Sequence, residues 1–395
     1  MKILITNSSP IWGGNENWAV TAGRLLRERD HTIRMLLLEG SPVVERARST
    51  GLSVITVPRF GGDLEPLSLL RFRRIFRKER PDAVILTKTK DYWVCGLTAR
   101  CAGVPRRFLR LSIVRRVKDN RKYRLIYRTF VHGAIVNSRE VEEGIRSSAD
   151  WTAGLDIHVL YNGIADPRDR PDWAALPAAA RDLRRQWGIP PDAFVFGACV
   201  NITRRKRLDM IVSGLADLRD RLPAAHAVIA GQGAAREALM AQARQLKIAA
   251  RVHFPGYLPD TGPLYHLFDL YVISSRQESM TYVGMEAMAH GCPVVATDCG
   301  GISELLDHGR CGLIVPVEDP RALRDGMDRL ASNDELRARF SRRGRRRFEA
   351  HFTEEKMAAN LEAILTGRPQ PYPPDVVSAP LERRSGPRDD EVTKI

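Results

Sequence analysis

The chain alternates short apolar segments with longer amphipathic ones, and this alternation restricts its fold more than any other feature. The pattern predicts strands at 2–6, 32–38, 53–57, 83–87, 107–112, 133–137 and 157–160. A second series of the same kind starts at Phe194 and runs to about residue 350. Strands that alternate with helices form parallel sheets covered by helices on both faces. The sequence therefore predicts an α/β fold with two doubly wound parallel-sheet domains.

A segment rich in proline, aspartate and arginine separates the two series and reads as a connection between domains. We therefore predict a basic N-terminal domain at 1–165, a linker at 166–192 and a C-terminal domain at 193–350. A last helix is predicted at 351–367. The tail 368–395 is rich in proline and charge, which is typical of a disordered segment.

Positive charge is concentrated in the first domain. Residues 1–160 hold 29 Lys and Arg against 16 Asp and Glu, a net +13 out of the +15 of the whole chain. The excess lies mainly in 67–80 and 106–128. A field of this sign attracts phosphates or an anionic membrane face. In the amphipathic helix 67–80, the apolar side, with Leu70 and Phe72, either packs on the sheet or touches a membrane.

Several classes of protein are disfavoured by composition. The chain has no apolar run of eighteen residues, so we expect no membrane-spanning helix, and its start lacks the apolar segment of a signal peptide. Its six cysteines form no C-x-x-C pair and no metal-ligand pattern, which suits a reducing compartment. We expect a cytoplasmic location, and the basic segments leave peripheral contact with the inner membrane face open.

The most informative stretch is 273–304, where Glu278 and Glu286 stand eight residues apart around a predicted helix start. Eight helical residues rise about 12 Å, which is comparable with the separation of the ribose and the sugar ring in a sugar nucleotide. Between the two acids, the backbone N–H groups of Met280, Thr281 and Tyr282 would form a helix N-terminus suited to a diphosphate. For an isolated pair, solvated surface acids would be the better interpretation.

The residues around this pair reverse that preference, because here the chain resembles the retaining glycosyltransferases of family GT4, which have the GT-B fold. The resemblance covers residues 1 to about 366, and the matching segments are at 12–19, 137–138, 161–164, 230–233, 252–260, 263–275, 286–295, 300–304 and 309–320. It implies two Rossmann-like domains facing across a cleft, with the helix 351–367 crossing back to the first domain. It also implies transfer of a sugar from a nucleoside-diphosphate sugar to an acceptor, with retained anomeric configuration.

The resemblance assigns roles to individual residues. Glu278 would bind the hydroxyls of the sugar and Glu286 those of the ribose, while Lys206 would stabilise the departing diphosphate. A third acid, Glu304, follows paired glycines, and we expect the three acids and the lysine to converge on the cleft. For Lys206, a solvated basic turn is the alternative interpretation.

One position departs from the family pattern. The family has an arginine five residues before the lysine, where this chain has Asn201. Asparagine can donate a hydrogen bond to a phosphate but brings no charge. Arg204 or Arg205 are the neighbours that could compensate.

Three further loops complete the implied donor site. Glycines after a strand let the backbone approach a ligand without interference from Cβ, although they are equally compatible with tight turns. The resemblance places one glycine loop at the phosphates or the acceptor, a second at the phosphates or the base, and a third loop at the base. The residues of these loops are Gly13, Gly14, Gly231, Gly233, Tyr257 and Leu258.

The acceptor side is less well defined by sequence. The family often has a histidine near the reacting carbon, and the corresponding segment 110–116 has none. Glu16, Asp91 and Ser112 are the acceptor-side candidates, and the residue that replaces the histidine stays open. The basic first domain favours an anionic acceptor, such as phosphorylated lipopolysaccharide core, a phospholipid-linked carrier or an anionic polysaccharide.

No D-x-D motif occurs, so we expect no metal cofactor on the diphosphate. The sequence therefore predicts a metal-independent glycosyltransferase for a glycan or glycolipid acceptor in cell-envelope polysaccharide or lipopolysaccharide synthesis. A UDP-sugar is favoured as donor, and a GDP-sugar is the alternative. Two other functions are weighed against it, a sugar-nucleotide epimerase or hydrolase of the same architecture and a nucleic-acid-binding protein. No nucleic-acid-binding motif supports the last, so no nucleic-acid partner is expected.

Overall fold

The computed structural model describes residues 1–62, 65–113 and 116–374, which form two parallel β-sheets covered by helices. The strands of the first sheet are β1 (Lys2–Asn7), β2 (Thr32–Leu38), β3 (Ser53–Val57), β4 (Ala83–Leu86), β5 (Arg106–Leu111), β6 (Gly133–Val136) and β7 (Ile157–Val159). Those of the second sheet are β8 (Val195–Cys199), β9 (His226–Ala230), β10 (Val252–His253), β11 (Leu270–Ile273), β12 (Val294–Thr297) and β13 (Leu313–Val315). The predicted α/β class is confirmed.

Helices connect the strands throughout. The helices among the strands of the first sheet are α1 (Gly14–Glu28), α2 (Pro42–Ser49), α3 (Pro66–Glu79), α4 (Thr89–Cys101), α5 (Arg121–Leu125) and α6 (Arg139–Arg146). The later helices are α7 (Leu176–Gln186), α8 (Asp209–Asp217), α9 (Arg236–Gln245), α10 (Gly262–Leu267), α11 (Tyr282–Ala289), α12 (Ile302–Leu305), α13 (Pro320–Ala331), α14 (Asp334–His351) and α15 (Glu354–Thr366). The segment predicted as a linker thus contains the helix α7, which packs against α10.

The strand order identifies where each sheet can bind a ligand. The orders are β3-β2-β1-β4-β5-β6-β7 and β10-β9-β8-β11-β12-β13. In both sheets the chain reverses direction across the sheet beside the first strand, between β1 and β4 and between β8 and β11. Ligands of open parallel sheets bind at the carboxyl ends of the strands at such a switch point. The fold therefore offers two candidate binding edges.

The strands are apolar on both sides because both faces of each sheet are covered. In β1, Leu4 packs on one face with Phe72 and Phe76 of α3, whereas Ile3 and Ile5 pack on the other. Arg73, Arg74 and Arg77 of α3 are exposed, and the exposed fractions of Leu67 and Leu70 in the same helix are 67% and 49%. Packing on the sheet therefore accounts for the phenylalanines of this basic helix but not for these leucines.

The last helix, α15, lies against α1 of the first sheet. Its residues Met357, Leu361 and Ile364 are buried in the same core as Trp18 of α1. Further along, the backbone N–H of Tyr372 donates to Asn360 Oδ1 at 2.9 Å. The rest of the predicted tail, from residue 375 on, and Arg115 of the basic segment 106–128 lie outside the described residues.

No helix within the described parts of the chain combines the length and the apolar character needed to cross a bilayer.

The packing of α15 predicts a large effect from a single truncation. Leu361 is fully buried against the first core, so Leu361→Ala should lower the free energy of unfolding by about 2–5 kcal/mol. Denaturant unfolding followed by tryptophan fluorescence measures the change. Glu355→Ala, at an exposed position of the same helix, is the control and should alter it by less than about 0.5 kcal/mol. Equal effects of the two changes would show that α15 is not part of that core.

Candidate active site

The switch point of the second sheet brings together two residues that are 72 positions apart in sequence. Lys206 follows β8 and Glu278 follows β11, and the ammonium of Lys206 pairs with Glu278 Oε1. Their side chains are only 12% and 8% exposed. Ser275 Oγ donates a second hydrogen bond, of 2.6 Å, to the same carboxylate oxygen. A buried ion pair with an additional hydrogen bond is held in a defined geometry.

The loop between β11 and α11, residues 274–281, is fixed from two sides. Ser274 Oγ donates to the carbonyl of Lys206 at 2.8 Å, and Thr297 Oγ1 donates to the carbonyl of Ser275 at 2.6 Å. These bonds join the loop to the end of β12 and to the loop that carries Lys206. The position of the carboxylate thus follows from the sheet rather than from the loop alone.

Two of the predicted residues support this loop. Arg205 is exposed, and its guanidinium donates to the carbonyl of Gln277 at 2.9 Å. Gly300 has a φ of +58°, and a Cβ there would lie 2.0 Å from the carbonyl oxygen of Glu278. The paired glycines of the sequence are therefore required by close backbone packing under the acidic loop.

The N-terminus of α11 faces the first domain. Thr281 occupies the N-cap position without a side-chain hydrogen bond, and both Met280 and Thr281 are buried. The ring of Tyr282 packs against Gly14, where a Cβ would lie 3.5 Å from it. Burial raises the pKa of Tyr282 to about 12, although its hydrogen bond to Asn17 opposes the shift. The N-termini of α1 and α11 therefore meet, and both carry positive dipole ends suited to an anion.

Glu286 lies further along α11, at the end of β8. The hydroxyl of Tyr265 donates to Glu286 Oε2 at 2.6 Å, and Cys199 is an electrostatic neighbour. Burial raises the pKa of Glu286, while the hydrogen bond from Tyr265 partly offsets this shift. Glu278 thus lies in the loop before α11 and Glu286 lies in the second turn of α11. Both belong to the switch point between β8 and β11.

Glu304, the third acid, makes its hydrogen bonds with the first domain, and its convergence with the other two acids stays a prediction. Its carboxylate accepts hydrogen bonds from the backbone N–H groups of Arg139 (2.9 Å) and Glu140 (3.1 Å), at the start of α6. The hydroxyl of Tyr161 donates to it at 3.1 Å. Burial raises the pKa of Glu304, and the backbone hydrogen bonds oppose that shift. This acid joins the two domains.

The structure shows why glycine is required at positions 231 and 233, which the sequence did not reveal. Their φ angles are +129° and +152°, and added Cβ atoms would lie 1.9 Å from the carbonyl oxygen of Val200 and 2.2 Å from that of Ile202. The loop after β9 therefore packs directly on the loop after β8. Close backbone packing is enough to explain both glycines, without a ligand.

The remaining donor candidates lie in or near these loops, and most of them are exposed. Asn201 and Arg204 are exposed, and the side chain of Tyr257 is 67% exposed. Leu258 is partly buried and packs against the core. The side chain of Asn201 is therefore at the surface and not packed in the interior beside Lys206.

The acceptor-side candidates lie at the switch point of the first sheet, and two of them are deeply buried. Glu16, in the first turn of α1, is 3% exposed and pairs with the ammonium of Lys88. A Cβ on Gly13 would lie 3.2 Å from its carboxylate. Asp91, in the first turn of α4, is fully buried, and Thr6 Oγ1 donates to it at 3.0 Å.

Burial raises the pKa of Asp91 to about 7, although hydrogen bonds from Ser8 and Thr6 oppose the shift. Ser112 follows β5 and is partly exposed. Of the three acceptor-side candidates, Ser112 is thus the one that solvent or a ligand reaches without rearrangement.

Sequence reasoning missed two residues of this region, Asn162 and Tyr265. Asn162 donates to the carbonyl of Met280 at 3.2 Å and accepts from Arg110 Nη2 at 2.8 Å. Tyr265 holds Glu286. Asn162 lies in the segment 161–164 that carried the resemblance, which was the available signal for it.

In the described ranges, no group of three or more His, Cys, Asp or Glu side chains is arranged to hold a metal ion. The positive groups at the site include Lys206, Arg205 and the two helix N-termini.

The candidate site lies in a region of the chain that is similar to a known protein family. Residues 180–347, which include Lys206, Glu278 and Glu286, match the family model described as glycosyl transferases group 1. This part of the chain is therefore similar to that family over somewhat less than half of the chain's length. The matched region contains the whole switch point between β8 and β11.

Relatives of known role are similar at moderate identity. The lipopolysaccharide core biosynthesis glycosyltransferase LpsE of Rhizobium meliloti is 28% identical over 186 residues, which cover 47% of this chain and 54% of LpsE. A GDP-mannose-dependent phosphatidylinositol monomannoside mannosyltransferase of Mycobacterium tuberculosis is 25% identical over 394 residues, covering 92% of this chain and 98% of the relative. For LpsE, as for several other curated relatives, the chain spans about half of the relative's length.

Solved structures show the fold. Alr3699/HepE of Anabaena, crystallised with UDP, superposes with a TM-score of 0.80 at 20% identity and covers 93% of this chain and 100% of its own. Its complex with UDP-glucose gives a TM-score of 0.75 at 21% identity, with the same coverage. The chain has the GT-B fold, and the predicted pair of Rossmann-like domains is confirmed.

The buried carboxyl of Asp91 predicts a pH-dependent stability. Its folded pKa of about 7 exceeds the unfolded value of about 3.9, so between these values the folded state binds more protons and stability falls as the pH rises. Asp91→Asn should therefore raise the melting temperature, by an amount that grows from pH 5 to pH 7 and is constant above. Calorimetry at several pH values measures this, with the exposed Glu39→Gln as control. A pH-independent difference would contradict the assignment.

Proposed function

We propose that the protein is a retaining glycosyltransferase that moves a sugar from a nucleoside-diphosphate sugar to a glycan or glycolipid. The observation that carries the proposal is the Lys206–Glu278 pair beside the N-terminus of α11, at the switch point of the second sheet. The match of residues 180–347 to the family model of glycosyl transferases group 1 supports it. A diphosphate at the helix N-terminus would lie between Glu278 and Glu286 along the extended donor.

Each side chain then has a role. Lys206 and the N–H groups at the start of α11 stabilise the negative charge that develops on the leaving diphosphate. Glu278 binds hydroxyls of the transferred sugar, and Glu286, aligned by Tyr265, binds the ribose hydroxyls. The ammonium of Lys206 is paired with Glu278, so donor binding exchanges part of this ion pair for contacts to phosphate and sugar.

The reaction needs no covalent enzyme intermediate in this scheme. The bond between the anomeric carbon and the phosphate oxygen breaks, and the acceptor oxygen attacks the same face of the sugar. The departing phosphate oxygen is on that face and can take the proton of the acceptor hydroxyl. This route is compatible with an acceptor side where Glu16 is paired and Asp91 is fully buried. No resident metal is assigned to it.

A UDP-sugar is the favoured donor, and a GDP-sugar is the alternative. Crystals of the GT-B protein HepE with UDP and UDP-glucose support the first, and the GDP-mannose-dependent relative of M. tuberculosis supports the second. The role of LpsE in lipopolysaccharide core synthesis supports a cell-envelope acceptor. The +13 charge of residues 1–160 favours an anionic one.

The basic helix α3 supports peripheral contact with an anionic membrane from the cytoplasmic side. Leu67 and Leu70 are exposed on it, beside the exposed arginines 73, 74 and 77. The segment Ile126–Phe130 packs against α4, which also contacts α3, and Leu125 beside it is 43% exposed. Apolar side chains within a basic surface are suited to the headgroup region of an anionic bilayer.

Lys206→Ala and Glu278→Ala should each reduce transfer at least about a hundredfold, since loss of a charged contact to the transition state costs about 2.7–4 kcal/mol. The donor is first found by melting-temperature shifts with UDP-, GDP-, ADP- and dTDP-sugars. Initial rates with that donor and an envelope glycolipid extract then compare the variants.

Arg219→Ala is the control, because Arg219 is exposed after α8, outside the loop that carries Lys206. It should keep turnover within about twofold. Folded Lys206 and Glu278 variants with full activity would refute the site, and turnover of the donor to an isomer without acceptor would favour an epimerase.

Membrane contact predicts that Arg74→Glu with Arg77→Glu weakens binding to vesicles that contain phosphatidylglycerol by at least about tenfold, because each basic residue contributes about 1 kcal/mol. Vesicle flotation measures this, with Arg219→Glu, at an exposed position of the second domain, as control. Equal binding of the wild type to neutral phosphatidylcholine vesicles would contradict the proposal.

A further inference from the structure

Arg110, at the carboxyl end of β5, is a buried guanidinium that the proposed mechanism has not used. It is 1% exposed. Its guanidinium carbon lies 4.5 Å from the ring centre of Trp18, and Nη2 donates to Asn162 Oδ1 at 2.8 Å. These contacts fix the side chain between the first sheet and the second domain.

The charge of this guanidinium is not neutralised. Among the described residues, no carboxylate forms an ion pair with Arg110, and its Nε has no hydrogen-bond partner. Burial lowers the pKa of Arg110 to about 10, which leaves it charged at neutral pH. An unpaired buried charge is strongly unfavourable. Packing alone therefore gives no reason for an arginine at this position.

The surroundings of Arg110 indicate what it can bind. Asn162, which accepts from Arg110, donates to the carbonyl of Met280 at 3.2 Å, so one side chain joins the guanidinium to the start of α11. Tyr282, the first residue of α11, is an electrostatic neighbour of Arg110. The guanidinium therefore lies beside the helix N-terminus assigned to the diphosphate.

Although two nitrogens of Arg110 donate to Leu111 and Asn162, a buried side chain on the neighbouring strand has no partner at all among the residues described. Asn137 follows β6 and is fully buried, and neither its Oδ1 nor its Nδ2 has a hydrogen-bond partner. Arg110 pairs in register with Ile135, and side chains two residues apart share a face of the sheet. Arg110 and Asn137 therefore lie on the same face, at the same edge, with unused donors.

The second domain alone brings little net positive charge to a diphosphate. The ammonium of Lys206 is paired with Glu278, Asn201 is uncharged, and Arg205 is exposed and donates to a backbone carbonyl. A diphosphate carries at least two negative charges at neutral pH. A further cation at this edge would complete its binding site.

We propose that Arg110 is a diphosphate-binding residue supplied by the first domain, which contacts the donor at the start of α11. The inference rests on the proposed function and adds a residue to it. A guanidinium matches phosphate oxygens in a bidentate geometry, with two parallel hydrogen bonds. Because Arg110 belongs to the first sheet and Lys206 to the second, the diphosphate would be held by both domains at once.

The experiment compares Arg110→Met with the wild type by titration calorimetry, using UDP, GDP, uridine and guanosine as ligands. The variant should bind the preferred nucleoside diphosphate at least about tenfold more weakly, since charge-assisted hydrogen bonds are lost. Its affinity for the matching nucleoside should stay within about twofold. Its melting temperature should fall no more than that of Arg107→Met, because each change removes a buried guanidinium that donates to buried oxygens. Arg110→Lys, which keeps the charge, should recover part of the affinity.

Arg107→Met is the matched control on the same strand. Arg107 is 8% exposed, and its Nε donates to the carbonyl of Phe130 at 2.6 Å, away from the site. This change should lower the melting temperature and leave diphosphate affinity unchanged.

The outcomes separate the inference from the function on which it rests. If the wild type binds neither diphosphate more tightly than the nucleoside, the proposed function fails. If the wild type does so and Arg110→Met binds equally well, the inference alone is wrong. Normal UDP or GDP binding with lost transfer would assign Arg110 to the acceptor and overturn the inference, as would equal weakening of nucleoside and diphosphate together with a melting temperature below that of Arg107→Met.

Discussion

The loop of residues 274–281 is the constraint on which the rest of the site depends. Hydrogen bonds from Ser274 and Thr297 fix this loop to its own sheet, and Gly300 lets a neighbouring backbone pass directly beneath it. The loop in turn fixes the carboxylate of Glu278 against Lys206 and sets the start of α11. A small displacement of this loop would therefore change the ion pair, the helix N-terminus and the contact with the first domain together.

Much of the fold could be predicted from the sequence, because continuous apolar runs and amphipathic helices identify parallel strands and their connections. The strands at 32–38 and 53–57 have the bounds that the pattern predicts. The association of Lys206 with Glu278 came from family resemblance, and the structure brings these two side chains together. Periodicity alone carries no information about which distant loops meet, so this pair was not accessible from local pattern.

The parts that sequence reasoning missed depend on tertiary contacts with backbone groups or with several elements at once. Glu304 accepts hydrogen bonds from backbone N–H groups of α6, which have no sequence signature. Gly231 looked like a ligand contact, but its lack of Cβ accommodates the carbonyl of Val200. Arg110 was one of many basic residues in 106–128, and only burial without an acid partner distinguishes it.

The hydrogen bonds from α6 to Glu304 make the first domain depend on the second. The first turn of α6 has its own N-cap in Ser138, but two of its N–H groups are satisfied by a carboxylate from the other sheet. Parting the halves would return that carboxylate to water and leave these donors to be hydrated. Separation of the two domains would therefore be coupled to the local order of α6.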